Sequence, residues 1–465
     1  MKASTDPTQT KTWPQYVAVL SALLAMFCSG IHMGWTSPTV PKILSDEYPF
    51  DVTPEEASYI TIIGPLGDIV GNILSSILVD LIGRKFTILL IGVPQLVSMA
   101  MIYFSTYSVL LLYVARFIGG ISEGSCFTIL PLYICEVSEP KIRGLLGASF
   151  SLILIYGLLF VNLVGSFFGI FDAALIYIAC SLVFMACFSI MPESPYYLIM
   201  KNKLEQAKAS LRRLRACEDV DLELAALSKD VARQMSEKGR FKDLYAIKSN
   251  KMAVIVMIIL RVLQQFSGIS PFTMYAQLMF KDATDAIPQQ WAASLMMLIQ
   301  SFATLTAVLI VDVIGRKPMI LISVGGCCVT LTFNAVFFVL RDYTDVEVSH
   351  LGVLPLVGLI LFTICFSLGL GSAVNLLLGE LFPANVKALA ACLLNMIFAV
   401  GMLTTTKFYQ FMADTFSLVI PFAVFGLFQF VGFVFCWKYV PETKNKTLEQ
   451  IQQELKGNKD AKGAL

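Results

Sequence analysis

Charge is scarce in this chain. Only 14% of its 465 residues are Asp, Glu, Lys or Arg, while 57% are apolar and the mean hydropathy is +0.74. An ordinary soluble domain carries about 25% charged residues, so this composition excludes a single soluble globular enzyme. The 34 Lys and Arg nearly balance the 33 Asp and Glu, and a net charge of +1 provides no basic field for nucleic acid. Histidine is almost absent: two residues cannot supply a His-based catalytic metal site. No HExxH helix, Walker lysine or nucleophile elbow occurs, and the GlyGlyIleSerGluGly run at 119–124 has no preceding strand to make it a phosphate loop. What is abundant is apolar length. At about 20 residues per span, a dozen helices need roughly 240 residues, which this chain supplies with loops to spare. It reads as a polytopic membrane protein, not an enzyme, needing no cofactor and no metal.

Ten of the eleven cysteines lie inside apolar stretches and Cys217 in a charged one. A disulfide framework would put them in polar loops, so they read as small buried hydrophobes. The polar start carries Lys2 and Lys11. The apolar run after it is too long for a signal peptide and lacks a small-residue cleavage site, so the first helix is expected to be retained.

Twelve apolar runs fall at 16–36, 57–81, 86–106, 108–134, 145–168, 173–191, 252–280, 289–313, 318–340, 352–379, 388–412 and 417–440. In lipid only helices satisfy their own backbone over such lengths. The division predicted is a six-helix half at 1–191, an intracellular helical segment at 192–251, a second six-helix half at 252–440 and a short tail at 441–465. The 192–251 segment holds thirteen Lys and Arg, whereas the turns at the other side hold chiefly Lys42, Lys281 and Arg341. The first of those turns is acidic (Asp46, Glu47, Asp51, Glu55, Glu56). The positive-inside rule then places both termini and the central segment in the cytoplasm, as an even span count also requires.

The chain repeats itself. ValAspLeuIleGlyArgLys at 79–85 returns as ValAspValIleGlyArgLys at 311–317, so Asp80 and Asp312 stand 232 residues apart. Glu136 precedes Arg143 by seven residues, as Glu380 precedes Lys387, 244 residues later. ProGluSerPro at 192–195 returns as ProGluThrLys at 441–444, offset by 249. Three motifs in one order, at corresponding helix ends, indicate two halves related by duplication. Halves of that kind form transporters with the substrate site between them near mid-membrane.

An Asp at a helix C-terminus opposes its own helix dipole and needs cationic company. Arg84, Lys85, Arg116 or Arg143 can supply it for Asp80, and the repetition in Asp312 and Arg316 favours a breakable ion network over a basic topogenic turn. The spacing of Glu136 with Arg143, and of Glu380 with Lys387, suits latches between helices; the plainer reading is a static salt bridge worth little. Gln264 and Gln265 sit mid-helix in the seventh run. Two adjacent amides cannot both face lipid, and they are either ligands for a polyhydroxylated neutral solute or inter-helical glue worth about 0.6 kcal/mol per bond. Asn162, Gln300, Asn375 and Asn395 are weaker candidates. His32 and Asp68 are the titratable residues nearest mid-membrane in the first two helices.

Taken together, Asp80 through Lys85, Arg116, ProLeuTyrIleCysGlu at 131–136, Arg143-Gly144, ProGluSerPro, Gln264-Gln265-Phe-Ser-Gly-Ile, Asp312 through Lys317, GlyGluLeuPhePro at 379–383 and ProGluThrLys resemble the sugar porter family of the major facilitator superfamily across nearly the whole chain. GlyTrpThrSerPro at 34–38 and ProGluSerProTyrTyrLeu at 192–198 resemble its insect branch of facilitated trehalose transporters. The resemblance implies an all-α fold of twelve transmembrane helices in two pseudo-repeats, with Gln264 and Gln265 binding sugar. It implies a gate network of Asp80, Arg84, Arg116, Glu136, Arg143, Asp312, Arg316, Glu380 and Lys387. The family usually has Asn where Ser270 stands and Gln where Ser151 stands; its tenth helix carries a Pro pair and a Trp where this chain has Leu370, Val374 and Asn375, and Phe398 replaces a common Asn. Ser270, Ser151 and Asn375 complete the expected substrate site.

His32 occupies the position where proton-coupled members carry an Asp, which implies uniport, with His32 and Asp68 the candidate proton carriers if coupling exists. The expected function is facilitated movement of a neutral sugar, a glucose-like hexose or trehalose, across the plasma membrane, with the lipid bilayer and the sugar as its only partners. Proton symport and a non-transporting sugar receptor are the rivals, and the 25 residues after Val440 make a short tail for a receptor.

Overall fold

A computed structural model describes residues 11–45, 48–236, 241–283, 287–344, 353–446 and 448–456. Asp46 and Glu47 of the acidic turn, and Lys2, lie outside the described residues. Among the described residues twelve helices are long and apolar enough to cross a membrane, and they match the twelve runs in order. Spans 1–6 are Trp13–Ile43, Pro54–Leu81, Arg84–Tyr103, Val109–Val137, Pro140–Phe167 and Ile170–Ser189. Spans 7–12 are Lys248–Met274, Gln289–Ile314, Arg316–Tyr343, Leu354–Leu381, Leu389–Thr415 and Val419–Tyr439. Local signals set several of their ends. Thr53 and Glu56 form a reciprocal capping box at the start of span 2, and proline stands in the first turn of spans 2, 5 and 10, where its missing N–H is harmless.

The spans are enclosed to different degrees. Spans 1, 7, 4 and 10 are the most enclosed, at 72, 61, 56 and 56%, whereas span 6 reaches only 28%. Span 1 therefore corresponds to span 7 and span 4 to span 10, as the duplication requires. The outer spans present Leu182, Val183, Leu309, Val313, Val329, Phe430 and Trp437 outward, an apolar girdle suited to lipid.

Spans 1, 7 and 10 are discontinuous. Span 1 breaks at Trp35 before a short second helix, Thr36–Ile43. Span 7 breaks at Gly268, whose φ of +86° is open to glycine and strained for other residues, and resumes at Ile269–Met274. Span 10 breaks across Gly369–Ser372 between Leu354–Leu368 and Ala373–Leu381. Freed backbone groups at membrane depth need new partners, and the break in span 10 finds them: Leu370 N donates to Ser323 Oγ at 3.0 Å, and Leu370 O accepts from Gln264.

Between the halves lie short helices at Pro195–Met200, Leu204–Arg215, Asp221–Ser236 and Asp243–Ala246. They share the basic end of the bundle with the turns after spans 2 and 8. Arg215 anchors them, pairing with Glu139 at 3.2 Å and Glu223 at 2.7 Å. Cys217, which stands in this charged stretch, is buried. No disulfide joins the cysteines among the described residues, and Cys135 and Cys187 are exposed rather than buried.

Candidate functional site: a buried glutamine pair between two polar ends

The duplicated motifs build the same ion network twice at the basic end. In the first half Arg84 clasps Glu136 with two nitrogens, each at 2.9 Å, and reaches Asp80 at 3.3 Å. Ser194 donates to the second Glu136 oxygen. Glu193 caps span 3, accepting from the backbone N–H of Arg84 at 3.1 Å and Lys85 at 3.0 Å, an arrangement in which a carboxylate meets the positive end of a helix dipole. Burial nevertheless raises the Glu193 carboxyl above its ordinary range. In the second half Arg316 meets Glu380 and Asp312, both at 2.8 Å, while Thr443 donates to Glu380 at 2.5 Å. Glu442 caps span 9 through the N–H groups of Arg316 and Lys317. Gly83 and Gly315, at φ +97° and +102°, make room for the two capping carboxylates.

Three members expected in this network lie outside it. Arg143 donates to Ser138 O at 3.1 Å and makes no ion pair among the described residues. Lys387 likewise forms no ion pair there, and burial lowers its pKa. The expected joins of Glu136 to Arg143 and of Glu380 to Lys387 are thus not made, because the fork of Arg84 or Arg316 already occupies each glutamate. Arg116 is not at the basic end: buried seven residues from the opposite end of span 4, it donates to the backbone oxygens of His32 at 2.5 Å and Ile60 at 3.4 Å and lies over Trp35.

The glutamine pair ends the first segment of span 7, and its two members differ. Gln264 is committed to the scaffold, with Nε2 donating to Leu370 O at 3.1 Å and Oε1 accepting from Arg261 at 2.9 Å. Gln265 is fully buried and accepts from Ser270 Oγ at 2.6 Å; its other amide end has no partner. Whichever way that amide is turned, one end stays free. Gln264 therefore fits the glue reading and Gln265 the ligand reading. Ser270 is brought to the pair. Asn375 is not: it is exposed and, among the described residues, bonds Gly371 O in the break of its own span. Ser151 is half-buried on span 5, beside Phe150, which packs on Phe127 at 5.6 Å; Phe127 in turn meets Phe398 of the other half at 6.2 Å.

The first half also buries an acidic group. Asp68 accepts from Asn72 at 3.0 Å and packs on Gly124; Asn72 in turn accepts from Thr128 at 2.7 Å. Glu123 is 2% exposed and one of its oxygens lacks a partner. Both ring nitrogens of buried His32 are also unpartnered, its Nδ1 lying against Gly119.

At the end opposite the basic one, hydrogen bonds join the halves. Thr36 donates to Met274 O at 2.9 Å, Gln277 to Ser166 at 2.8 Å, and Lys407 to Ser58 at 2.9 Å. Ser58 also meets Gln410, whose amide reaches Asp414 at 3.0 Å, and the Lys407 ammonium lies 4.9 Å from the Tyr59 ring centre. At the basic end no ion pair crosses between the halves among the described residues. Gly144, Gly147 and Gly379 face open space there. The hydrogen-bonded latch between the halves thus lies at the end opposite the basic one.

Sequence reasoning passed over Arg261, Glu123, Lys407, Glu193 and Glu442. The first three had a plain signal: an ionisable residue within an apolar run is a functional candidate by default. The two capping glutamates stood inside motifs already identified by repetition, but nothing local showed which amides they would reach.

Twelve spans in two six-helix repeats, with three broken helices and polar networks at the two ends, define the major facilitator fold. The structure superposes on the xylose transporter XylE from E. coli in its inward-open conformation with a TM-score of 0.78, at 21% identity over 95% of this chain and 99% of that one. The partially occluded inward-open form gives 0.76 at 20% identity, covering 93% and 99% of the two chains. The profile of the "Sugar (and other) transporter" family matches residues 18–455, and the chain belongs to that family. Among curated relatives, it is 31% identical over 448 residues to the facilitated trehalose transporter Tret1-1 of Drosophila simulans, covering 96% of this chain but only 52% of that one. The chain thus spans about half the length of that relative. It covers 93% of the Tret1-2 homolog of Drosophila simulans, at 31% identity over 97% of its own length, and 88% of Tret1 of Culex quinquefasciatus, at 30% identity over 97%.

Proposed function

We propose that the protein is a facilitative transporter that moves a neutral sugar, a glucose-like hexose or trehalose, down its gradient by alternating access. The observation that carries this reading is the free amide end of Gln265, held by Ser270 beside the helix breaks of spans 7 and 10. A buried amide with unused capacity recognises a hydroxyl without requiring charge. The facilitated trehalose transporters among its relatives support the same reading. The basic end faces the cytoplasm with both termini, and the protein resides in the plasma membrane. Sugar binding biases the two orientations of the halves; the latched end and the duplicated ion networks are the elements that part and re-form. Uptake of labelled glucose and trehalose into proteoliposomes tests it. Gln265→Leu should weaken saturable uptake by about 1–3 kcal/mol of binding, with insertion intact because Leu is favourable in lipid. Unchanged uptake in Gln265→Leu and in the Gln264/Gln265 double variant would refute the site.

Proton symport is the second reading, favoured by Asp68 and Glu123, two carboxyl groups buried in one half. A uniporter brings internal sugar only to the external level under an imposed pH gradient. Accumulation above that level, abolished by Asp68→Asn or Glu123→Gln, would establish coupling.

A further inference from the structure

Arg261 stands thirteen residues from each end of span 7, Lys248–Met274, and therefore about 20 Å along the helix from either. It is 6% exposed. One guanidinium nitrogen donates to Gln264 Oε1 at 2.9 Å, and the group lies 5.4 Å from the ring centre of Phe398. Its Nε is buried without a hydrogen-bond partner, and it forms no ion pair among the described residues. Other buried arginines are compensated differently: Arg84 holds Glu136, Arg215 holds Glu139 and Glu223, and Arg116 takes two backbone carbonyls. Intramembrane cations are costly and mark substrate or ion pathways unless paired.

Three observations place this cation in the central site. It is bonded to one glutamine of the pair. It lies one turn toward the basic end from Gln265, whose free amide end is also buried and unpartnered. Its aromatic neighbour Phe398 meets Phe127 of the opposite half at 6.2 Å, so the guanidinium borders the seam where the halves separate. A ligand here meets an amide suited to hydroxyls and a planar cation suited to a carboxylate. A neutral ligand leaves the guanidinium uncompensated when the site closes. A monoanionic one neutralises it.

We propose that the central site also takes a sugar acid, a polyhydroxylated monoanion such as a hexuronate, with its carboxylate on Arg261 and a hydroxyl on the free amide end of Gln265, and binds it more tightly than the neutral sugar of the same size. The inference rests on the placement of the sugar site at Gln265. Glu123 does not oppose it: in the first half its carboxylate is offset by the nearby Arg116 cation.

The test is direct binding of labelled glucuronate, glucuronate methyl ester and glucose to the purified full-length protein and to Arg261→Gln and Arg261→Lys. The wild type should bind glucuronate roughly tenfold or more tightly than its neutral methyl ester, the discrimination expected of a hydrogen bond to a charged partner. Arg261→Gln should remove that discrimination, and Arg261→Lys should keep part of it. Equal binding of acid and ester by the wild type, or equal loss of every ligand in Arg261→Gln and Arg261→Lys, would overturn the proposal. The ester comparison decides the matter even if Arg261→Gln fails to fold. Glucose binding without charge discrimination would leave the neutral-sugar reading standing alone. Arg261-dependent glucuronate binding without glucose binding would reverse that outcome.

Discussion

Lys407→Met probes the latch at the end opposite the basic one. The ammonium contributes two contacts across the halves: a bond to Ser58 Oγ at 2.9 Å and a position 4.9 Å from the Tyr59 ring centre. Its 3.5 Å approach to Gln410 lies within span 11, persists in either orientation and does not count. The site is half-buried. A charge-assisted bond at the low end of its range is worth about 1.5 kcal/mol and an exposed cation–π contact about 0.5 kcal/mol. The sum, about 2 kcal/mol, is roughly a thirtyfold change in the ratio of the two orientations. Methionine keeps the apolar stem and removes only the charge and its donors. The assay is single-molecule energy transfer between dyes on Asp51→Cys and Phe416→Cys, with the accessible cysteines replaced by Ser. The population with this end open should rise by about that factor. Ser58→Ala should produce part of the same shift, and the double variant should fall short of the sum, because both changes remove one shared bond. Unchanged populations in Lys407→Met, or strict additivity with Ser58→Ala, would refute the latch.

Breaking a buried ion pair leaves a charge uncompensated, at a cost of about 3–5 kcal/mol, and the two repeats differ in burial. The Arg84–Glu136 side chains are 4% and 6% exposed against 12% and 29% for Arg316–Glu380, so Arg84→Gln should lower the melting temperature in detergent more than Arg316→Gln; the reverse order would contradict the burial argument. Gly83→Ala forces a side chain into φ +97° and against Glu193, and a backbone strained in this way costs about 1–3 kcal/mol, so folded yield should fall while Gly144→Ala, which meets open space, should be neutral. Under the uniport reading, uptake should persist when a protonophore collapses the proton gradient, and Glu123→Gln should leave it unchanged; loss of uptake in either case would favour coupling.

The amino-acid sequence by itself determined the twelve spans, their pairing into two repeats and the chemistry at their basic ends. Hydropathy over twenty residues is a local quantity, and duplication wrote the same local chemistry twice, so Asp80, Arg84 and Glu136 announced Asp312, Arg316 and Glu380 before any packing was known. Partner choice was another matter. Seven residues separate Glu136 from Arg143, yet the glutamate lies in the fork of Arg84, 52 positions away, because antiparallel spans bring the turn after span 2 to the end of span 4. Nor could adjacency separate Gln264 from Gln265: the break in span 10 presents a carbonyl to the first, Ser270 meets the second, and only that leaves one amide end free. The latch of Lys407 on Ser58 spans 349 positions. Local pattern fixes which segments lie in the membrane; which buried polar atoms are left without partners, and so can receive a substrate, is decided by contacts between distant segments.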